Sequence, residues 1–273
     1  MSSITPVLGL FFLGCTGGGK ADDTAGGFNE YEASAGAAAS TASVTLQESL
    51  VFVDVVLFNF DPDLNNGSSA EDNAATLQSN AGGDGGCATI TPSGATSFSV
   101  DFGTGCTYGS LTVSGAVTVS VGAEGGEGSR VLTVDLVMTA LVVNTVDLDG
   151  TASFSTENGS TLAVALDLTH SGSTVAADLT VVGVPGSFTM DGSATVTANG
   201  ASTSLVLTGV HITQGACWAD AGSIAADMSG ATGTLTFDGN TPSTGQATFS
   251  AGRLEACWQL SDYGTCVATA CPE

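Results

Sequence analysis

What most restricts this chain is a strict alternation of apolar and polar residues that stays in phase when it is folded across its own turns. In residues 161–182, "TLAVALDLTHSGSTVAADLTVV", Leu162, Val164, Leu166 and Leu168 occupy every second position before Ser171-Gly172, and Val175, Ala177, Leu179 and Val181 do so after it. Side chains of an extended strand point alternately to opposite faces. Taking Ser171-Gly172 as a two-residue hairpin loop sets Leu168 against Val175, Leu166 against Ala177, Val164 against Leu179 and Leu162 against Val181, so every facing pair is apolar. A slip of one residue would turn one partner of every pair to water.

The same test applies at neighbouring turns. Asn199-Gly200 as a two-residue loop sets Val196 against Thr203, Ala194 against Leu205, Met190 against Gly209 and Phe188 against His211. Glu157-Asn158-Gly159 as a three-residue loop sets Phe154 against Leu162 and Ala152 against Val164, whereas a two-residue loop there would put Ser153 opposite Val164. Five consecutive antiparallel strands are therefore expected, over residues 146–156, 160–169, 174–183, 187–198 and 201–212. Further strands are expected near 97–103, 110–121, 130–143, 231–238, 245–250 and 253–259. In residues 110–121, Leu111, Val113, Val117, Val119 and Val121 share one face. Composition agrees, since 38 glycines with 11% charged residues suit short-turned β structure better than helix.

The fold class that follows is mainly β: a large antiparallel meander with one continuous apolar face. That face must be covered by curling, by folding into two sandwich-like layers, or by a helix. Residues 43–60, "SVTLQESLVFVDVVLFNF", offer Thr45 and Glu48 as a capping box and a stripe of Leu46, Leu50, Asp54 and Phe58, with Val51 and Val55 beside it. The β-branched run within it also suits a strand; we expect one N-terminal helix over the apolar face. Residues 43–86 are read as a helical and linker segment, and 87–273 as one β domain, since composition does not break after residue 87.

Residues 1–15 end an apolar run, Val7 to Leu13, in Gly14-Cys15. Seven apolar residues are too few to span a bilayer as a helix. The segment resembles the signal peptide of bacterial lipoproteins, in which a small residue precedes a cysteine that is lipidated; the resemblance implies lipidation at Cys15 and an outer-membrane address. Residues 16–42, rich in Gly, Ala, Ser and Thr, are expected to be a flexible tether. Lipid chains at Cys15 would supply a membrane affinity that an acidic body lacks. Six of the seven cysteines remain, Cys87, Cys106, Cys217, Cys257, Cys266 and Cys271, an even set for an exported chain. Six cysteines allow fifteen pairings; nearest neighbours give Cys87 with Cys106, Cys217 with Cys257, and Cys266 with Cys271. There is no paired CxxC spacing for zinc, and neither metal nor cofactor is expected.

Acidic residues outnumber basic ones 27 to 3, for a formal charge of −24. Nucleic acid is excluded as a partner, because neutralising phosphates requires clustered Lys and Arg. Residues 61–72, "DPDLNNGSSAED", place Asp61, Asp63, Asn65 and Asp72 near the ligand positions of a calcium loop, but Gly67 comes one place late and Asp72 replaces the bidentate Glu. A polar linker accounts for the segment. His170 is expected to face solvent before its hairpin loop, and His211 to pack on the apolar face opposite Phe188. Trp218 and Trp258 each follow a cysteine, which suggests matched strands with Trp packed over a disulfide, or a sugar-binding pair. The chain has no G-x-S-x-G, H-E-x-x-H or GK[ST] phosphate-loop signature, and enzymatic activity is not expected.

One stretch carries a wider resemblance. "SFSVDFGTGCTYGSLTVSGAVTVSV", residues 97–121, preceded by "CATITP", resembles a group of uncharacterised lipoproteins from Gram-negative envelopes in which an apolar strand ends in DFG-x-GC and a polar turn leads to a strand containing SG. The resemblance implies an envelope location and a shared fold, and carries no activity with it. Without a nucleotide loop or a paired Lys and Glu it is not a kinase metal turn, and because it leads into a strand and not a helix N-terminus it is not a phosphate cradle; it reads as a strand end, glycine turns and a disulfide. The functional expectation is a lipid-anchored envelope module, structural or binding, with an apolar-ligand carrier, a carbohydrate-binding protein and a transmembrane β-barrel as alternatives.

Overall fold

A computed structural model of the chain describes residues 36–37, 39–40, 42, 69–81, 87–108, 111–125, 131–143, 146–157, 161–170, 172–184, 187–198, 200–213, 216–228, 231–260 and 266–272. Among them is one antiparallel sheet of 14 strands, curled and not closed on itself. In chain order these are β1 (Thr89–Pro92), β2 (Ser97–Asp101), β3 (Cys106–Tyr108), β4 (Leu111–Glu124), β5 (Val131–Val143), β6 (Val146–Thr156) and β7 (Thr161–His170). There follow β8 (Ser173–Val184), β9 (Ser187–Ala198), β10 (Ala201–Thr213), β11 (Ala221–Met228), β12 (Ala231–Thr236), β13 (Gln246–Ala251) and β14 (Leu254–Gln259). Each strand pairs with the next, except that β2 and β3 both pair with β4. Helix α1 (Ala70–Ala81) precedes the sheet, and α2 (Thr241–Thr244) is a single turn between β12 and β13.

The expected core strands are present at nearly the expected bounds, and the mainly β meander is what the alternation required. Strands β1, β3 and β11 and helix α1 were not foreseen. Every long strand buries one face only. Val164, Leu166 and Leu168 on β7, Val175 and Leu179 on β8, and Leu205 and Leu207 on β10 are 4% exposed or less. The opposite face carries exposed Thr151, Asp167, Asp178, Thr195 and Ser204. Burying a leucine or valine in this way contributes about 1.5–3 kcal/mol each, which makes the dry face the main source of stability.

Registers test the turn arithmetic directly. The β7–β8 hairpin has all four expected pairs. Between β6 and β7 the partners are Phe154 with Val164 and Ala152 with Leu166, two residues from the expected register. Alternation fixes only whether a loop is odd or even, and the longer odd loop keeps the same faces together. Thr156 Oγ1 donates to the Thr161 carbonyl (2.8 Å) across its mouth. Between β9 and β10, Val196 with Thr203 and Ala194 with Leu205 are as expected, but Met190 pairs with Val210 and Phe188 with Ile212. A bulge at Thr208-Gly209, with Gly209 at φ 57°, takes one residue out of the count.

The bulge is one of a pair. Asp191 Oδ1 accepts the Gly209 N–H at 2.7 Å, and on β6 Asp149 Oδ1 accepts the N–H of Ala140, a bulged residue of β5 at φ 46°, at 2.6 Å. Each aspartate precedes a mid-strand glycine whose φ is positive, Gly150 and Gly192. A Cβ at Gly192 would lie 2.3 Å from the Asp178 carbonyl oxygen. The two Asp-Gly devices flank the central β7–β8 hairpin on either side.

The expected helix at residues 43–60 and most of the calcium-like loop lie outside the described residues. The end of that loop is a helix start instead of a linker. Asp72 N–H donates to Ser69 Oγ (3.1 Å) and Ser69 N–H to Asp72 Oδ2 (3.3 Å), a reciprocal cap that engages the carboxylate the calcium reading needed. Helix α1 packs Ala74 and Leu77 toward β2 and β4. The expected tether is also shorter than residue 42, because residues 36–37, 39–40 and 42 are helical, and Ala39, Ser40 and Ala42 are buried. Small side chains permit that approach: a Cβ at Gly36 would lie 2.6 Å from the Trp258 ring.

Candidate functional site

The polar face gathers chemistry where β9 begins and β10 ends. Beyond the bulge, Val210 and Ile212 continue the inner face, so His211 stands on the outer one opposite Thr189. This corrects the expectation of a histidine packed against Phe188. Ser187 Oγ lies 2.8 Å from His211 Nε2, and His211 Nδ1 is hydrogen-bonded to Asp220 Oδ1. Asp220 is held in turn by Thr213 Oγ1, which donates to Oδ2 (3.1 Å), and by its own N–H, which donates to the His211 carbonyl (3.0 Å). The His211 and Asp220 side chains are 30% and 28% exposed.

A carboxylate only accepts, so the His211 proton sits on Nδ1; in the neutral ring Nε2 then accepts from the Ser187 hydroxyl. The order serine, imidazole, carboxylate is that of a charge-stabilised nucleophile, recognised by geometry and not by sequence position. No contiguous sequence motif spans it, because Ser187, His211 and Asp220 come from two strands and a loop. One signal was legible: in "LVLTGVHIT" the apolar phase passes from Leu205 and Leu207 to Val210 and Ile212 across a glycine, the mark of a bulge.

The other histidine is also displaced from expectation. His170 is 6% exposed, in phase with Leu162 to Leu168 on the dry face, and its Nδ1 is 2.8 Å from the Asp147 carbonyl. Period two carried through to residue 170 places it there.

The "DFGTGC" stretch is a fastening. Strands β2 and β3 lie end to end along β4, and residues 102–105 loop out between them opposite Ser114 and Gly115. Gly103 N–H donates to Asp101 Oδ1 (2.8 Å), Phe102 N–H donates to the Gly115 carbonyl (2.8 Å), and Gly103 and Gly105 have positive φ. Cys106 closes a disulfide to Cys87, as expected.

The other two expected disulfides are re-paired: Cys217 joins Cys266, and Cys257 joins Cys271. Three strands, β11 to β13, separate β10 from β14 in the sheet, so Cys217, in the loop after β10, and Cys257, on β14, are not carried by neighbouring strands. Both cysteines instead reach the C-terminal tail, which lies along the start of β13. There Thr269 N–H donates to the Thr244 carbonyl (2.7 Å), and Gln246 Nε2 donates to the Ala270 carbonyl (2.7 Å). Trp218 is 2% exposed, with no face for a sugar ring, and Trp258 packs on Phe249 with centroids 5.0 Å apart. Among the described residues no group of three or more His, Cys, Asp and Glu is placed to hold a metal ion. No protein-family model, curated protein or solved structure matches this chain.

Proposed function

We propose that the chain is a lipid-anchored lipoprotein of a Gram-negative cell envelope, held at the outer membrane through Cys15, whose β domain is a structural or binding module. The observation that supports this reading is the cysteine ledger. Six cysteines pair among themselves, which suits an oxidising compartment, and the seventh is the one that ends the signal-like segment. The polarity of the sheet favours this reading over a transmembrane barrel. A barrel turns its apolar residues outward to lipid, whereas here most are buried, and the outer face, although it exposes Val137, Val182 and Val206, carries mainly small and polar residues. Glycan recognition through the Trp pair loses its support with Trp218 buried.

The test is metabolic labelling of expressing cells with a fatty-acid analogue. Label should reach the wild-type chain and be absent from Cys15→Ser. Label that persists in Cys15→Ser would overturn the reading.

A further inference from the structure

We propose that Ser187 is a nucleophilic serine activated by His211 and positioned through Asp220, able to take an acyl group from small esters at the outer face of the sheet. Three features carry this beyond a chance hydrogen-bond row. The nucleophile-to-base and base-to-carboxylate contacts are both formed. Asp220 is fixed by its own N–H, which donates to the His211 carbonyl, and by the Thr213 hydroxyl, which donates to its carboxylate, as a residue that orients an imidazole must be. The base also sits two residues past a bulge whose positive-φ glycine, Gly209, donates its N–H to Asp191, a device that re-aims side chains beside reactive sites. The row lies on an open strand face flanked by Thr189 and Thr213, so the substrate class is a small ester that needs no deep cleft.

In the reaction the Ser187 hydroxyl proton passes to His211 Nε2 while Oγ bonds to the ester carbonyl carbon. The proton then goes to the departing alkoxide as the C–O bond breaks, leaving an acyl-serine and an alcohol. Water attacks the acyl-serine, gives its proton to Nε2 and releases the acid, and Ser187 recovers its proton. Ser187 and His211 are catalytic residues, and Asp220 is a positioning residue.

The experiment uses the purified full chain with a fluorophosphonate probe and with p-nitrophenyl acetate, each variant being checked by thermal unfolding. Peptide mapping should place the phosphonyl adduct on Ser187, and ester turnover above buffer should vanish in Ser187→Ala. General-base assistance is worth about 100-fold or more, so His211→Ala should slow labelling by that factor; His211→Gln serves if the alanine variant loses the fold. Asp220→Asn should lower kcat with KM unchanged, and Asp220→Glu should recover part of it. No adduct on Ser187 in a folded protein, or a labelling rate indifferent to His211, would overturn the proposal. Neither result bears on lipidation at Cys15.

Discussion

The disulfide pairing can be tested by asking which pairs of cysteines are lost together. Cys217 and Cys266 are 49 residues apart, and closing a loop of that length restricts the unfolded chain by about 4 kcal/mol in the chain-entropy account. Cys257 and Cys271 are 14 apart, worth about 3 kcal/mol. Replacing Cys217 and Cys266 with serine removes one bridge and leaves the other whole. Replacing Cys217 and Cys257 takes one sulfur from each and removes both, for about 7 kcal/mol if the terms add, comparable to the whole stability of many domains. Urea unfolding at equilibrium should therefore rank Cys217→Ser/Cys266→Ser well above Cys217→Ser/Cys257→Ser. Nearest-neighbour pairing predicts the opposite order, since Cys217 and Cys257 would then be one bridge. A reversed ranking, or a non-reduced peptide joining residues 217 and 257, would refute the reasoning.

Three further outcomes follow from the sheet. Gly192→Ala forces a side chain at φ 142° into the Asp178 carbonyl and should cost about 2 kcal/mol or more; Gly172→Ala, at φ 79° with nothing within 4 Å, should cost about 1 kcal/mol, and equal denaturation midpoints would contradict the account. Deleting Gly209 removes the bulge residue and leaves Leu205, Leu207, Val210 and Ile212 in phase, so the variant should fold, whereas deleting Leu205 shifts half of β10 to the wrong face and should not; circular dichroism melts separate the two. Leu168→Ala, at a residue 1% exposed, should lose about 2–5 kcal/mol, read by chemical denaturation.

Much of this architecture was legible because hairpin pairing is local. Two residues at Ser171-Gly172 fix ten cross-strand pairs, and a dry face permits only one parity. Parity is also where legibility stopped: Phe154 could meet Leu162 or Val164 without changing face, and the observed register pairs it with Val164. The candidate site was lost through one glycine. A count of two carried past Gly209 sent His211 inward, although the change of phase at Val210 and Ile212 was already present. For the segment before the sheet, the polar run that approached a calcium loop ends in a helix cap, because Ser69 and Asp72 satisfy each other and the first-turn amides at no cost in ligand geometry.

By itself the sequence determined the meander, the strands at its centre and the side of each that is dry, since these depend on contacts between residues a few positions apart. Tertiary structure alone decided that Cys217 and Cys257 pair with the tail and not with each other, because three intervening strands set their separation. It also decided that Ser187, His211 and Asp220 meet. That meeting depends on a bulge and on a loop after β10; the phase change across Gly209 marks the bulge, but nothing local marks Ser187 and Asp220, 24 and 9 positions from His211, as its partners.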